Sequence, residues 1–183
     1  FVATKKQAKS IVAESAKSLN MPYITERWPG GLLTNFSTIR KSIKKMNSID
    51  TMKEDGTFDT LSKREKLQIE RTREKLELNF GSIENMNRIP EAIFVVDINK
   101  EHIAVAEANK LGMRSYAMVD TNTNPKLVNF PIPANDDSTK SISKIMQIIS
   151  EAIAEGLSER SKTIEEKAKI KQEKAKEILN KDN

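Results

Sequence analysis

Short apolar runs alternate along this chain with stretches whose apolar residues recur at helical spacing. Residues 1–3 (FVA) read as the end of a strand. Ala8, Ile11, Val12, Ala16 and Leu19 then share one face of a helix. Thr4 and Gln7 have the spacing of a capping box at its start, and Asn20 and Pro22 close it. Residues 23–25 make a short second strand. AIFVVD (92–97) and SYAMVD (115–120) are apolar runs ending in aspartate, as strands buried on both faces are. Between them residues 102–111 form a helix that Gly112 ends. A fifth strand at 129–133 precedes Asp136 and Asp137, which are placed to cap a helix from about 138 to 155. Strand–helix alternation of this kind predicts an α/β fold whose parallel sheet is covered on both faces.

The middle of the chain departs from the alternation. Phe36, Ile39, Ile43 and Met46 step by three, four and three, the narrow seam of a coiled coil. Ile69, Leu76, Phe80 and Ile83 make a similar stripe on a second segment. EDGTFD (54–59) is a turn signal between them, and Ser62 with Glu65 forms another capping box. The prediction is an antiparallel helical hairpin inserted at 35–86, projecting from a sheet domain made of residues 1–34 and 87–157. Outside its seam the hairpin is almost wholly charged, so its flanks must face water or a partner. Residues 158–183 form a charged tail, helical or disordered, with few apolar residues to bury.

Charge adds a polarity to this picture. Of the net +5, residues 1–53 carry +7 and the remainder −2, so a polyanionic partner is expected at the first third. Lys5, Lys6 and Lys9 sit near the start of the first helix, and Arg40, Lys41, Lys44 and Lys45 ride the flank of the hairpin. Cysteine is absent, which excludes disulfides and thiolate metal sites. No apolar run is long enough for a membrane span and no secretory signal is visible, so no membrane role is expected and the cytoplasm is. The start at Phe1, inside an apolar run, reads as a chain whose N-terminal part is missing.

Catalytic chemistry finds little support. Neither GxGxxG nor GxxxxGK[ST] occurs, and no nucleophile elbow or HxxxH pattern accompanies the single histidine, His102, which reads as a surface or capping residue. No cofactor is expected. Asp120, Asp136 and Asp137 follow predicted strand ends, where ligands gather on parallel sheets. With His102 they could hold a divalent cation, though VDTNTNP and ANDDS also suit turns and caps. No metal is expected there. RWPGGLLTN (27–35) concentrates the only tryptophan, a proline and two adjacent glycines in one loop. Its Gly30 and Gly31 allow a backbone to approach closely. Trp28 suits either a core position or, with Arg27, a stacking edge.

RWPGGLLTNFSTIRKSI (27–43) resembles the signature of the bacterial small-subunit ribosomal protein two family. The resemblance continues through FVATKKQA, DGTFDTLSKRE, IPEAIFVVDINKEHIAVAEANKLGM, VDTNTNP and FPIPANDDSTKSI, in order, to about residue 157. It implies an open parallel sheet, a flavodoxin-like three-layer sandwich, carrying the inserted coiled-coil hairpin. It also implies a non-catalytic structural constituent of the small subunit that binds rRNA between head and body. Partners would be small-subunit rRNA and neighbouring ribosomal proteins, including the mRNA-binding ribosomal protein one. The family-type positions are Lys5, Lys6, Arg27, Trp28, Gly30, Gly31, Thr34 and Asn35. Lys9, Arg40, Lys41, Lys44 and Lys45 are added on charge alone. Trp28 and the glycines are expected to be architectural, with Arg27 anchoring the loop by hydrogen bonds. Family members carry about sixty further residues before the TKKQA segment. The alternatives are a small-molecule- or metal-binding α/β domain using the strand-end aspartates, and a protein-interaction module without RNA.

Overall fold

Successive residues of a strand point to opposite faces of its sheet, and this chain buries both. In the computed structural model, which describes residues 1–181, β1 (Ala92–Val96), β2 (Arg114–Val119) and β3 (Phe130–Pro133) form an open parallel sheet in the order β1-β2-β3. The two predicted N-terminal strands contribute single bridges instead: Val2 bridges Val95 on one side and Ile24 on the other, both in parallel. Counting these bridges, the order across the sheet is 24–2–β1–β2–β3. That order is consistent with a flavodoxin-like sheet, whose direction of progress reverses between residue 2 and β1.

Ile93, Val95, Ala117 and Val119 face one side, where α4 (His102–Lys110) contributes Ala104, Val105 and Ala108. Phe94, Val96 and Met118 face the other. Val12 of α1 (Lys9–Ser18) covers them, with Ile142 and Met146 of α5 (Thr139–Lys181). On β3, Phe130 lies opposite Tyr116 and Ile132 opposite Met118, while Pro131 and Pro133 alternate with them. Ala134 N then donates to Val119 O at 3.1 Å.

α2 (Phe36–Glu54) buries Ile39, Ile43, Met46 and Ile49, extending the predicted seam by one residue. Gly56, at φ +77°, turns the chain into a short 3-10 segment (Thr57–Thr60). α3 (Lys63–Phe80) then starts at the Ser62–Glu65 capping box. Arg40 of α2 donates to Asn87 O beyond α3, and Asp50 near the end of α2 accepts from Arg73 within α3. Pairing early with late in this way makes the two helices antiparallel. Ile83, assigned to the second stripe, lies in a 3-10 turn after α3 (Gly81–Ile83) and is buried in the sheet core.

Two predicted caps are made differently. Thr4 and Gln7 form no capping box, because Glu101 of the segment after β1 accepts from both Thr4 N and Thr4 Oγ1. The helix accordingly starts later, at Lys9, with no side-chain cap. Before α5 it is Asn135 Oδ1 that accepts from Asp137 N (2.8 Å) and Ser138 N (3.0 Å), leaving Asp136 free for another role. α5 runs unbroken through residue 157, the expected end of the sheet domain, and on into the tail. The last two tail residues, 182 and 183, lie outside the described residues. No helix among the described residues is long and apolar enough to cross a membrane.

Candidate nucleic-acid interface

The 27–35 loop is folded around a carboxylate. Glu107 of α4 accepts from Trp28 Nε1 (3.1 Å) and Gly31 N (2.6 Å) on one oxygen. Its other oxygen accepts from Leu33 N (2.9 Å), Thr34 N (3.1 Å) and Thr34 Oγ1 (3.3 Å). Gly31 supplies the required bend at φ +85°, and a Cβ there would meet Asn35 Cβ at 3.3 Å. Gly30 is exposed with open space around its missing side chain. Asn35 N donates back to Gly31 O at 2.8 Å, and α2 begins at the next residue. Burial raises the Glu107 pKa, but the Trp28, Gly31, Thr34 and Leu33 donors outweigh it and hold the carboxyl below its ordinary value.

Trp28 is 6% exposed, inside the core cluster with Leu32 and Leu33, so the core reading of its ring is the one the structure supports. Arg27 does not anchor the loop. It is exposed and makes no hydrogen bond or ion pair among the described residues, because the anchor is Glu107. Sequence reasoning missed Glu107, although one signal was present. It is the acidic residue on the helix face that Ala104 and Ala108 bury, where an apolar side chain is expected.

The predicted basic residues separate into two groups. Lys5 is largely enclosed, with Nζ 2.6 Å from Asp136 Oδ1, 2.6 Å from Asp137 Oδ1 and 3.3 Å from Asp97 Oδ2. Lys9 pairs with Glu26 at 2.9 Å, which draws the start of α1 to the residue before Arg27. Arg40 is committed to Asn87 O at 3.0 Å. Lys6, Arg27, Lys41, Lys44 and Lys45 are exposed, and among the described residues none of them makes an ion pair. Helical spacing puts Lys41, Lys44 and Lys45 on one side of α2, away from Ile39, Ile43 and Met46. Three unpaired ammonium groups at i, i+3 and i+4 present a row of charge that suits a phosphate backbone.

The strand-end aspartates do come together. One carboxylate oxygen each from Asp120, Asp136 and Asp137 lies within 4.8 Å of the others. Asp120 Oδ2 accepts from Asp136 N at 3.3 Å. Asp97 joins the group from the end of β1 with a positive φ of 68°. Burial opposes the charge of Lys5, yet the Asp136 and Asp137 carboxylates more than offset it and raise its pKa. Burial pushes the Asp136 carboxyl up, against the pull of Lys5. Lys5 and Asp97 follow the two segments between which the sheet order reverses, so the cluster lies at the strand ends where ligands of such folds usually bind. His102 stays outside it, exposed, with Nδ1 3.1 Å from Asn99 O.

Comparison with known proteins places most of the chain in one family. The model of the family described as ribosomal protein S2 matches residues 1–156. The small ribosomal subunit protein uS2 of Flavobacterium johnsoniae is 65% identical over 160 residues, covering 87% of this chain and 63% of that protein. Its namesake in Flavobacterium psychrophilum is 65% identical over 161 residues, covering 88% of this chain and 60% of the other. That of Porphyromonas gingivalis is 64% identical over 160 residues, covering 87% and 57%. The chain thus spans about three-fifths of the length of these relatives. The match is to ribosomal proteins, which are not an enzyme family. Over 156 of its residues, including the loop wrapped on Glu107 and all three strands, this chain belongs to the ribosomal protein S2 family.

Proposed function

We propose that this protein is a structural, non-catalytic constituent of the small ribosomal subunit in the cytoplasm, binding small-subunit rRNA between head and body. The observation that carries the reading is the row of unpaired Lys41, Lys44 and Lys45 on α2, in a chain of this family. Lys6 and Arg27 add two more free cations, whereas Lys5, Lys9 and Arg40 are already engaged within the protein. In this reading residues 35–86 are a coiled-coil arm that lays its lysine row on RNA. Residues 1–34 and 87–157 are the sheet domain that docks beside neighbouring ribosomal proteins, and residues 158–183 are a charged tail. Support for recruiting ribosomal protein one would fall to the sheet domain.

Salt-graded co-sedimentation with small subunits depleted of this component tests the reading. Wild-type protein is expected to return stoichiometrically at physiological salt. Lys41→Glu, Lys44→Glu and Lys45→Glu together should flatten the slope of log affinity against log salt by about 2–3, since each lost phosphate contact removes about 0.7–0.9. An unchanged slope would remove α2 from the RNA surface.

The strand-end aspartates favour a second reading, in which they hold a divalent cation. Asp136 Oδ2 is buried without a hydrogen-bond partner, and three carboxylates share the ammonium of Lys5 with Asp120 beside them. Binding a metal only in the native state would raise the melting temperature. A rise of several degrees with magnesium, manganese or zinc, reversed by chelator and abolished in Asp136→Asn, is the result this reading requires. Identical melting with metal and with chelator would eliminate it.

A further inference from the structure

Resting on the RNA-binding reading above, we infer that Glu107 is a positioning residue for docking, the built-in anion of a backbone nest that sets the angle of the α2–α3 pair to the sheet. Backbone N–H groups that converge on one point form a concavity suited to phosphate or sulfate. In this loop Gly31, Leu33 and Thr34 supply three such groups, and the Trp28 indole and Thr34 hydroxyl add two more donors. The anion they enclose comes from the protein itself. Glu107 belongs to α4, whose Ala104 and Ala108 are fully buried against the sheet, so the carboxylate is fixed to the sheet layer.

The other half of the junction has no slack. Thr34 is the last residue the carboxylate holds, and α2 starts two residues later at Phe36. Asn35 bridges that gap: its N–H returns to Gly31 O, and its Oδ1 accepts from Thr38 Oγ1 at 2.9 Å. Other ties at the root of the arm are of different kinds. Ile39, Ile43 and Phe80 make apolar contacts, while Arg40 to Asn87 O and Ser82 to Tyr23 O are single bonds. Apolar contacts hold surfaces together with little directional preference. Five donors on two oxygens fix direction as well as distance. Without the carboxylate the arm stays attached and loses its angle, so the lysine row on α2 no longer meets RNA in register.

The absence of cysteine makes the angle measurable. Lys63→Cys at the start of α3 and Lys140→Cys on α5 give two exposed labelling sites, one on the arm and one on the sheet domain. Pulsed electron spin resonance on the doubly labelled chain should return one narrow distance distribution. Glu107→Ala should broaden or displace it. The side-chain atoms this removes correspond to acetate, so acetate, against chloride at equal ionic strength, should restore the distribution. It should also raise the melting temperature of the variant by on the order of 2–4 °C, and small-subunit binding should recover in parallel. Glu107→Gln keeps the volume but turns an N–H₂ toward donors, so it should show the defect without acetate rescue. An unchanged distribution in Glu107→Ala, or a changed one that acetate does not restore, would overturn the proposal. If Glu107→Ala does not fold even in acetate, Glu107→Asp decides: a displaced distance supports the role and an unaltered one refutes it. The distances are read on free protein, so they stand or fall independently of RNA binding.

Discussion

Trp28→Ala is expected to destabilise the protein by about 3–5 kcal/mol, the usual cost of removing a large aromatic from a core. The ring sits at 6% exposure in the cluster that joins the loop, the sheet and the root of α2. Its indole also donates to Glu107, so the substitution opens a cavity and removes one of the five donors of the nest. Trp28→Phe separates the two effects. It keeps most of the volume and should cost only about 1–2 kcal/mol. Urea unfolding of both variants gives the comparison. If Trp28→Ala were as stable as the wild type yet failed to bind small subunits, the ring would have to face the partner instead of the core.

Lys5→Ala should cost about 3 kcal/mol at neutral pH, because it leaves buried carboxylates without a counter-charge. Lys5 is the only cation within 4.0 Å of Asp97, Asp136 or Asp137 among the described residues. The pH dependence gives the result its signature. Burial already raises the Asp136 carboxyl above its ordinary value of 3.8, and losing the ammonium raises it further. A carboxyl whose folded pKa exceeds its unfolded one contributes stability that is lost as pH rises through that interval. The deficit of Lys5→Ala should therefore be small in acid and grow as the pH rises above the unfolded value. A deficit independent of pH would mean that Lys5 acts through packing of its stem instead of its charge.

What could be read from the sequence follows the range of the forces involved. β1, β2, α4 and the α2 seam were legible because burial imposes a period on neighbouring residues, and Ser62–Glu65 because both partners of a capping box lie within one turn. The features that position the candidate site join residues far apart. Thr4 had a local partner at the right spacing in Gln7, but Glu101, 97 residues away, takes its bonds. Asp136 had a plausible local role as a cap, which Asn135 fills instead, while Asp136 reaches back 131 residues to Lys5. Glu107 meets its loop across more than seventy residues. Charge counting puts a net +7 on residues 1–53. It could not tell a lysine spent inside the molecule, such as Lys5, from one left for solvent, such as Lys44.

The alternating prolines of β3 have a consequence for the free protein. A residue's N–H and C=O point to the same side of a strand, and that side alternates along it. Ala134 directs its N–H to β2, so Ile132 and Phe130 do likewise, and residues 131 and 133 face outward. Both are proline, so the outer margin of the sheet offers carbonyl groups and no donors. A strand laid along that margin would find half of its hydrogen bonds missing. Such an edge cannot template the stacking of one copy on the next. Free copies of the chain are thereby kept from zipping together along this edge.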